Sequence, residues 1–90
     1  MITLETALAL MQDNEITRQD QRVFLEFERQ VARGEYVTRS TVAKALGLRY
    51  ESCRRSFARL IRRRFFEIQS RSWQVRVANI YRDTKRSELL

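Results

Sequence analysis

Ninety residues, 43% of them hydrophobic and 10% aromatic, make one domain, residues 1–90, with its own core and no room for a second. With no histidine and one cysteine, the chain lacks the usual zinc and transition-metal ligand sets and forms no internal disulfide. The net charge of +7 is polarised: residues 1–37 carry four basic and seven acidic side chains, residues 38–90 fourteen basic and four acidic.

The opening MITLETALALMQ has no basic leader before its apolar residues, and no apolar run approaches a membrane span. A reducing cytoplasm is the expected location, without signal peptide or membrane anchor. Leu4, Leu8 and Met11, with Ala7, form a short apolar stripe at helical spacing, which predicts a first helix over 3–12. That stripe fits a cap on the core and a dimer seam equally well. Asp13-Asn14 ends the helix. Thr17-Arg-Gln-Asp20 is a capping-box pattern, and Val23, Phe24, Phe27 and Val31 continue it as one apolar face to Gly34, a C-terminal stop. This second helix, 18–33, reads as scaffold.

Thr38 is the next N-cap. Val42, Ala43 and Leu46 give a short helix, 39–46, closed by Gly47. A basic helix over 50–63 follows. FFEIQ (65–69) and WQVRVAN (73–79) then alternate at period two around Ser70-Arg71-Ser72, which predicts a β-hairpin over 65–79. The tail RDTKRSELL (82–90) fits a short helix or a frayed end. The expected fold class is mainly α with a small β-hairpin.

The run TRSTVAKALGLRYESCRRSFARL has the spacing of a helix-turn-helix. Ala43 is small where the second helix crosses above it, Gly47 allows a left-handed turn, and Val42, Leu46, Leu48 and Cys53 supply the apolar contacts at the crossing. With a hairpin directly after it, residues 17–79 resemble the winged helix-turn-helix superfamily, closest to its MarR-like and plasmid replication-protein branches. Two positions depart from the usual line. Arg64 stands where the family places a glycine before the wing, and Arg49-Tyr50-Glu51-Ser52 replaces the Ser-Arg-Ser-Thr opening of the recognition helix. The first departure requires an unusual backbone at Arg64 or a different helix exit.

On a helical wheel, Cys53, Phe57, Leu60 and Ile61 fall within an arc of about 100°. Opposite lie Glu51, Arg55, Arg59 and Arg62, with Ser52 and Arg63 beside them. A merely solvated face mixes signs at i, i+4 spacing; here Glu51–Arg55 is the one such pair. Sixteen of the eighteen basic residues are arginine, whose planar fork suits phosphate and guanine edges. The pattern points to a polyanion, and the resemblance implies that it is double-stranded DNA.

A recognition helix enters the major groove with its N-terminal residues nearest the bases. Arg49, Tyr50, Glu51, Ser52, Arg54 and Arg55 are therefore the base-contacting candidates, with Glu51 accepting from cytosine or orienting Arg55. Thr38, Arg39, Ser40, Thr41 and Lys44 gather at a helix N-terminus suited to a phosphate, and Arg59, Arg62 and Arg63 are expected on the DNA backbone. Arg71 at the hairpin tip and Arg76 in its second strand are the wing candidates. Cys53 reads as a small core residue, and Trp73 as core or wing-root packing.

These expectations describe a sequence-specific DNA-binding protein, most simply a small transcriptional regulator acting by site occupancy. A plasmid or phage replication factor on origin repeats is the alternative within DNA binding, supported by the likeness of VRVANIYRDTKRSEL to some plasmid replication proteins. A winged-helix protein-interaction module is the alternative of another class. No catalysis, metal, cofactor or small-molecule ligand is expected: there is no histidine base or phosphate-cradling glycine loop, and Tyr81 alone is too little for a tyrosine recombinase. RNA-platform aromatic motifs are missing too. One winged helix reads few base pairs, so a dimer or a row of protomers on DNA is expected.

Overall fold

The computed structural model describes residues 3–68 and the backbone of residues 75–77. It is mainly helical: α1 (Leu4–Gln12), α2 (Arg18–Ala32), α3 (Arg39–Leu46) and α4 (Tyr50–Arg62) precede two short strands, β1 (Phe66–Ile68) and β2 (Val75–Val77). Among the described residues no helix is long and apolar enough to cross a membrane.

The helix starts follow from threonine chemistry. Thr3 Oγ1 accepts from the Thr6 amide. At α2 the Thr17 hydroxyl accepts from the Asp20 amide while the Asp20 carboxylate accepts from the Thr17 amide, both at 3.0 Å. The box at α3 is built from two threonines, Thr38 and Thr41, whose hydroxyls accept reciprocally from each other's amides. Each box satisfies donors that a helix start leaves unpaired.

The three longer-range helix ends share one device. The amides of Glu35, Leu48 and Phe65 bond back to the carbonyls of Gln30, Ala43 and Leu60, and those of Gly34, Gly47 and Arg64 to Val31, Lys44 and Ile61. This is the Schellman pattern, which needs a left-handed residue at its centre. Gly34 and Gly47 adopt φ of 74° and 67°. Arg64 does the same at φ 68°, the sole non-glycine residue of the described chain at positive φ. The helix exit is thus made in the ordinary way with a residue poorly suited to it, at a cost of about 1–2 kcal/mol.

α2, α3 and α4 pack on one another around a core of Val23, Phe24, Phe27, Val42, Ala43, Cys53, Phe57 and Leu60. Phe65 and Phe66 close it from below α4. All five phenylalanines of the sequence are buried. Phe66 is their hub, with ring centroids 4.6, 5.2 and 5.4 Å from Phe27, Phe57 and Phe24. Leu46 and Leu48 pack against this cluster from either side of the Gly47 turn, as the spacing predicts.

Three expectations change. The strict alternation from residue 65 does not hold, because Phe65 and Phe66 are both buried. Phe65 follows the left-handed turn and its ring meets Phe24 at 6.2 Å; the strand begins one residue later. β1 and β2 pair antiparallel with Phe66 opposite Val77, Glu67 opposite Arg76 and Ile68 opposite Val75; residues 69, 73, 74, 78 and 79 of the expected hairpin lie outside the described residues. The hairpin tip, Trp73 and the tail lie outside the described residues. Val31 is exposed, since α3 docks on the flank of α2 that carries Gln30 and leaves Val31 outside. The Leu4, Leu8 and Met11 stripe also faces outward, while Thr6 and Leu10 on the other side of α1 are buried. It does not cap the core.

Candidate nucleic-acid interface

α3 is aimed by a polar network that the sequence did not disclose. The Thr41 hydroxyl donates toward Gln30 Oε1 at 2.8 Å, and Gln30 Nε2 donates to the Thr41 carbonyl and to Glu26 Oε2. Glu26 is in turn gripped by Arg29 through two bonds of 2.9 and 3.0 Å. Hydrogen bonding from Arg29 outweighs the effect of burial and keeps the Glu26 carboxyl below its ordinary pKa. The signal for this network was the spacing of Val23, Glu26, Phe27 and Gln30, which is one helical face with two polar members.

At the N-terminus of α3, the expected phosphate candidates divide. The Thr38 and Thr41 hydroxyls are committed to the capping box and to Gln30. Arg39 is half-buried with its guanidinium carbon 5.1 Å from the centroid of the Phe57 ring, a cation–π contact that lays its stem over the core. Ser40 and Lys44 remain exposed.

α4 shows the larger division. Its buried side is not the arc centred between Cys53 and Ile61. Ser56 is fully buried and Ile61 only partly, so the inward face is turned toward α2. There Gln19 Nε2 donates to Ser56 Oγ at 3.1 Å and toward the Ser52 carbonyl at 3.4 Å. This rotation brings Arg59 and Arg63 over α2 and the loop before it. Arg59 donates to both oxygens of the fully buried Asp20, Nε to Oδ2 at 2.7 Å and Nη2 to Oδ1 at 3.1 Å. Arg63 reaches Asp13 Oδ2 at 2.9 Å and Glu15 Oε2 at 3.2 Å. These two arginines, expected on a DNA backbone, hold carboxylates of the same chain instead.

Asp20 therefore serves twice, as the cap of α2 and as the anchor of α4. Burial pushes its carboxyl up, but hydrogen bonds from Arg59, Ser56 and the Thr17 amide, with the charge of Arg59, together outweigh burial and leave its pKa below the ordinary value. Sequence spacing identified Asp20 only as a cap; its pairing across 39 positions left no local signal beyond the acidic character of residues 13–20.

The outward face keeps a different set. The side chains of Arg55 and Arg62 are exposed and make no hydrogen bond or ion pair among the described residues; the same holds for the side chains of Arg49, the N-cap of α4, and of Lys44 on α3. Tyr50 is exposed beside them. Glu51 pairs with Arg54 rather than Arg55, through Nη2 at 2.9 Å and Nε at 3.2 Å. The bond from Arg54 holds the Glu51 carboxyl below its ordinary value. Ser52 is half-buried, its carbonyl turned to Gln19. Arg76 is described only as backbone in β2, and Arg71 lies outside the described residues.

Cys53 is buried with Sγ 3.5 Å from the Arg39 carbonyl oxygen. Burial, opposed in part by Arg39, pushes its thiol up to about 11, so it stays protonated and unreactive at neutral pH. Among the described residues no group of three His, Cys, Asp or Glu side chains is placed to hold a metal ion. No family model, curated protein or solved structure matches the chain.

Proposed function

We propose that this chain is a winged helix-turn-helix protein that binds double-stranded DNA, with α4 in the major groove and the β1–β2 hairpin as the wing. In its simplest form it is a small regulator that acts by occupying a site. The observation that carries this reading is the sorting of the arginines. Where α4 meets α2, arginines are matched by Asp13, Glu15 and Asp20. On the outward side Arg49, Arg55, Arg62 and Lys44 have no such partner among the described residues. A face designed only for water would match most of its cations with carboxylates at helical spacing; here Glu51, taken by Arg54, is the one carboxylate on the outward side of α4.

The contacts follow from position. Arg49, Tyr50, the Glu51–Arg54 pair and Arg55 lie in the first turns of α4, nearest the base edges. The ion pair presents Arg54 with one side of its fork already held, so Arg55 is the freer guanidinium for guanine. Arg62, Lys44 and Ser40 fall to the phosphates, with Arg39 near enough to join if it leaves the Phe57 ring.

Fluorescence anisotropy on a labelled duplex library, competed with single-stranded DNA and with poly-glutamate, tests the proposal. Selection of a preferred duplex that random duplex displaces poorly is the expected result. Equal displacement by duplex and poly-glutamate would assign the face to acidic proteins.

A further inference from the structure

The exposed side of α1 presents Leu4 at 71%, Leu8 at 46% and Met11 at 70% exposure, and the half-buried Ala7 lies between them. Its other side buries Thr6 and Leu10 in the protein's own core. A helix that is apolar on both sides is one that is covered on both sides. The helix carries a single charged side chain, Glu5, so it is neither a phosphate-binding element nor an ordinary solvated face.

We propose that α1 pairs with α1 of a second copy of this chain, antiparallel, about a twofold axis between Ala7 and Leu8. The spacing supports that occupant. Leu4, Ala7, Leu8 and Met11 follow i, i+3, i+4, i+7, a pattern that reads the same in both directions. Antiparallel packing therefore sets Leu4 against Met11 of the other copy, two long side chains at each end of the contact, and Leu8 over the small Ala7 beside the axis. Twofold interfaces require this self-complementarity. Charge supports it as well. In a protein of net charge +7, α1 carries only Glu5, so two copies can meet along this helix without bringing their basic faces together. Glu5 does not face its own copy, because the axis separates the two.

Three apolar side chains fall well short of the ~800 Å² per partner that a stable interface buries. The pairing is accordingly weak and concentration-dependent. It rests on α1 alone and not on the DNA reading, so it is tested without DNA.

Cysteine cross-linking of full-length protein at high concentration under mild oxidation reads the geometry. Cys53 is buried and does not compete. Leu8→Cys is expected to form a disulfide-linked dimer, since the two copies of this position lie beside the axis. Leu4→Cys and Met11→Cys are each expected to stay monomeric alone, their like positions being about 10 Å apart along the helices at 1.5 Å per residue, and to cross-link when mixed. Ala45→Cys, exposed on α3, sets the background. Leu8→Cys at background would overturn the seam. So would self-linking of Leu4→Cys, which indicates a parallel pair, or protection of Leu8→Cys from alkylation in a monomer, which indicates cover from the same chain.

Discussion

Arg59 and Arg62 stand three residues apart on α4 and meet opposite surroundings. Arg59 folds back onto a carboxylate with no exposure to water, while Arg62 extends from the far side with no carboxylate among the described residues. The comparison shows that a count of basic residues overstates the charge a helix offers to a partner. Arg54, Arg59 and Arg63 are matched within the chain; Arg49, Arg55 and Arg62 are not. Arg59 and Arg63 hold the helix against α2 and the loop before it, the Arg54 pair stays within α4 on its exposed side, and the unmatched arginines are those most available to a polyanion.

The largest effect should come from breaking the matched set at its centre. Asp20→Ala removes the cap of α2 and strands Arg59 against the core surface, for an expected loss of about 3 kcal/mol of stability. That is the low end for a broken buried pair, because Arg59 itself is 30% exposed. Urea denaturation measures it. Affinity for duplex DNA, taken at a temperature where the variant is folded, should hold or rise, since Arg59 is released.

Next in size is the unmatched set. Arg55→Ala should leave the denaturation curve unchanged and cost ~1–3 kcal/mol of binding at one base position, read by competition among duplexes that differ singly. Glu51→Ala, which frees Arg54, should shift the preferred base without the same loss of total affinity. If both variants weakened all duplexes equally, the assignment of these residues to base edges would fail.

Acid sharpens the comparison further. Asp20 and Glu26 both have pKa values held below the ordinary range in the folded chain. Their ionised forms contribute stability that is complete above the unfolded-state pKa and is lost as pH falls through the folded one. Stability should therefore decline below the ordinary carboxylate range, and less steeply in Asp20→Asn, which does not titrate.

The smallest expected change is a gain. Arg64→Gly relieves the left-handed backbone at the exit of α4, and net of the arginine's own contacts and glycine's greater freedom when unfolded it should add about 0.5 kcal/mol, visible as a slightly higher Tm. An unchanged or lower Tm would mean that the Arg64 side chain compensates for its backbone.

Local chemistry explains which parts of this molecule were legible in the sequence. Thr17, Thr38, Gly34 and Gly47 each act within a few residues of themselves, and the helix bounds they imply match the structure to within about a residue. Arg64 was legible as an anomaly for the same reason. The rotation of α4 was not, because Ser56 reads as polar surface until Gln19 and Asp20 are known to lie across from it. Glu26 and Gln30 were missed likewise; nothing near them in sequence shows that Arg29 and Thr41 satisfy them. Polar residues on a buried face depend on partners that only the tertiary fold supplies, and the candidate site depended on one such face.

The most direct measurement is the salt dependence of duplex binding in three proteins: the parent, Arg62→Ala and Arg63→Ala. Each phosphate contact contributes ~0.9 to the slope of log K against log salt. Arg62→Ala should lower the slope by about that amount, and Arg63→Ala, already matched by Asp13 and Glu15, should leave it unchanged. Equal reductions in the two variants, or a parent slope near zero, would contradict the division of α4 into a matched and an available face.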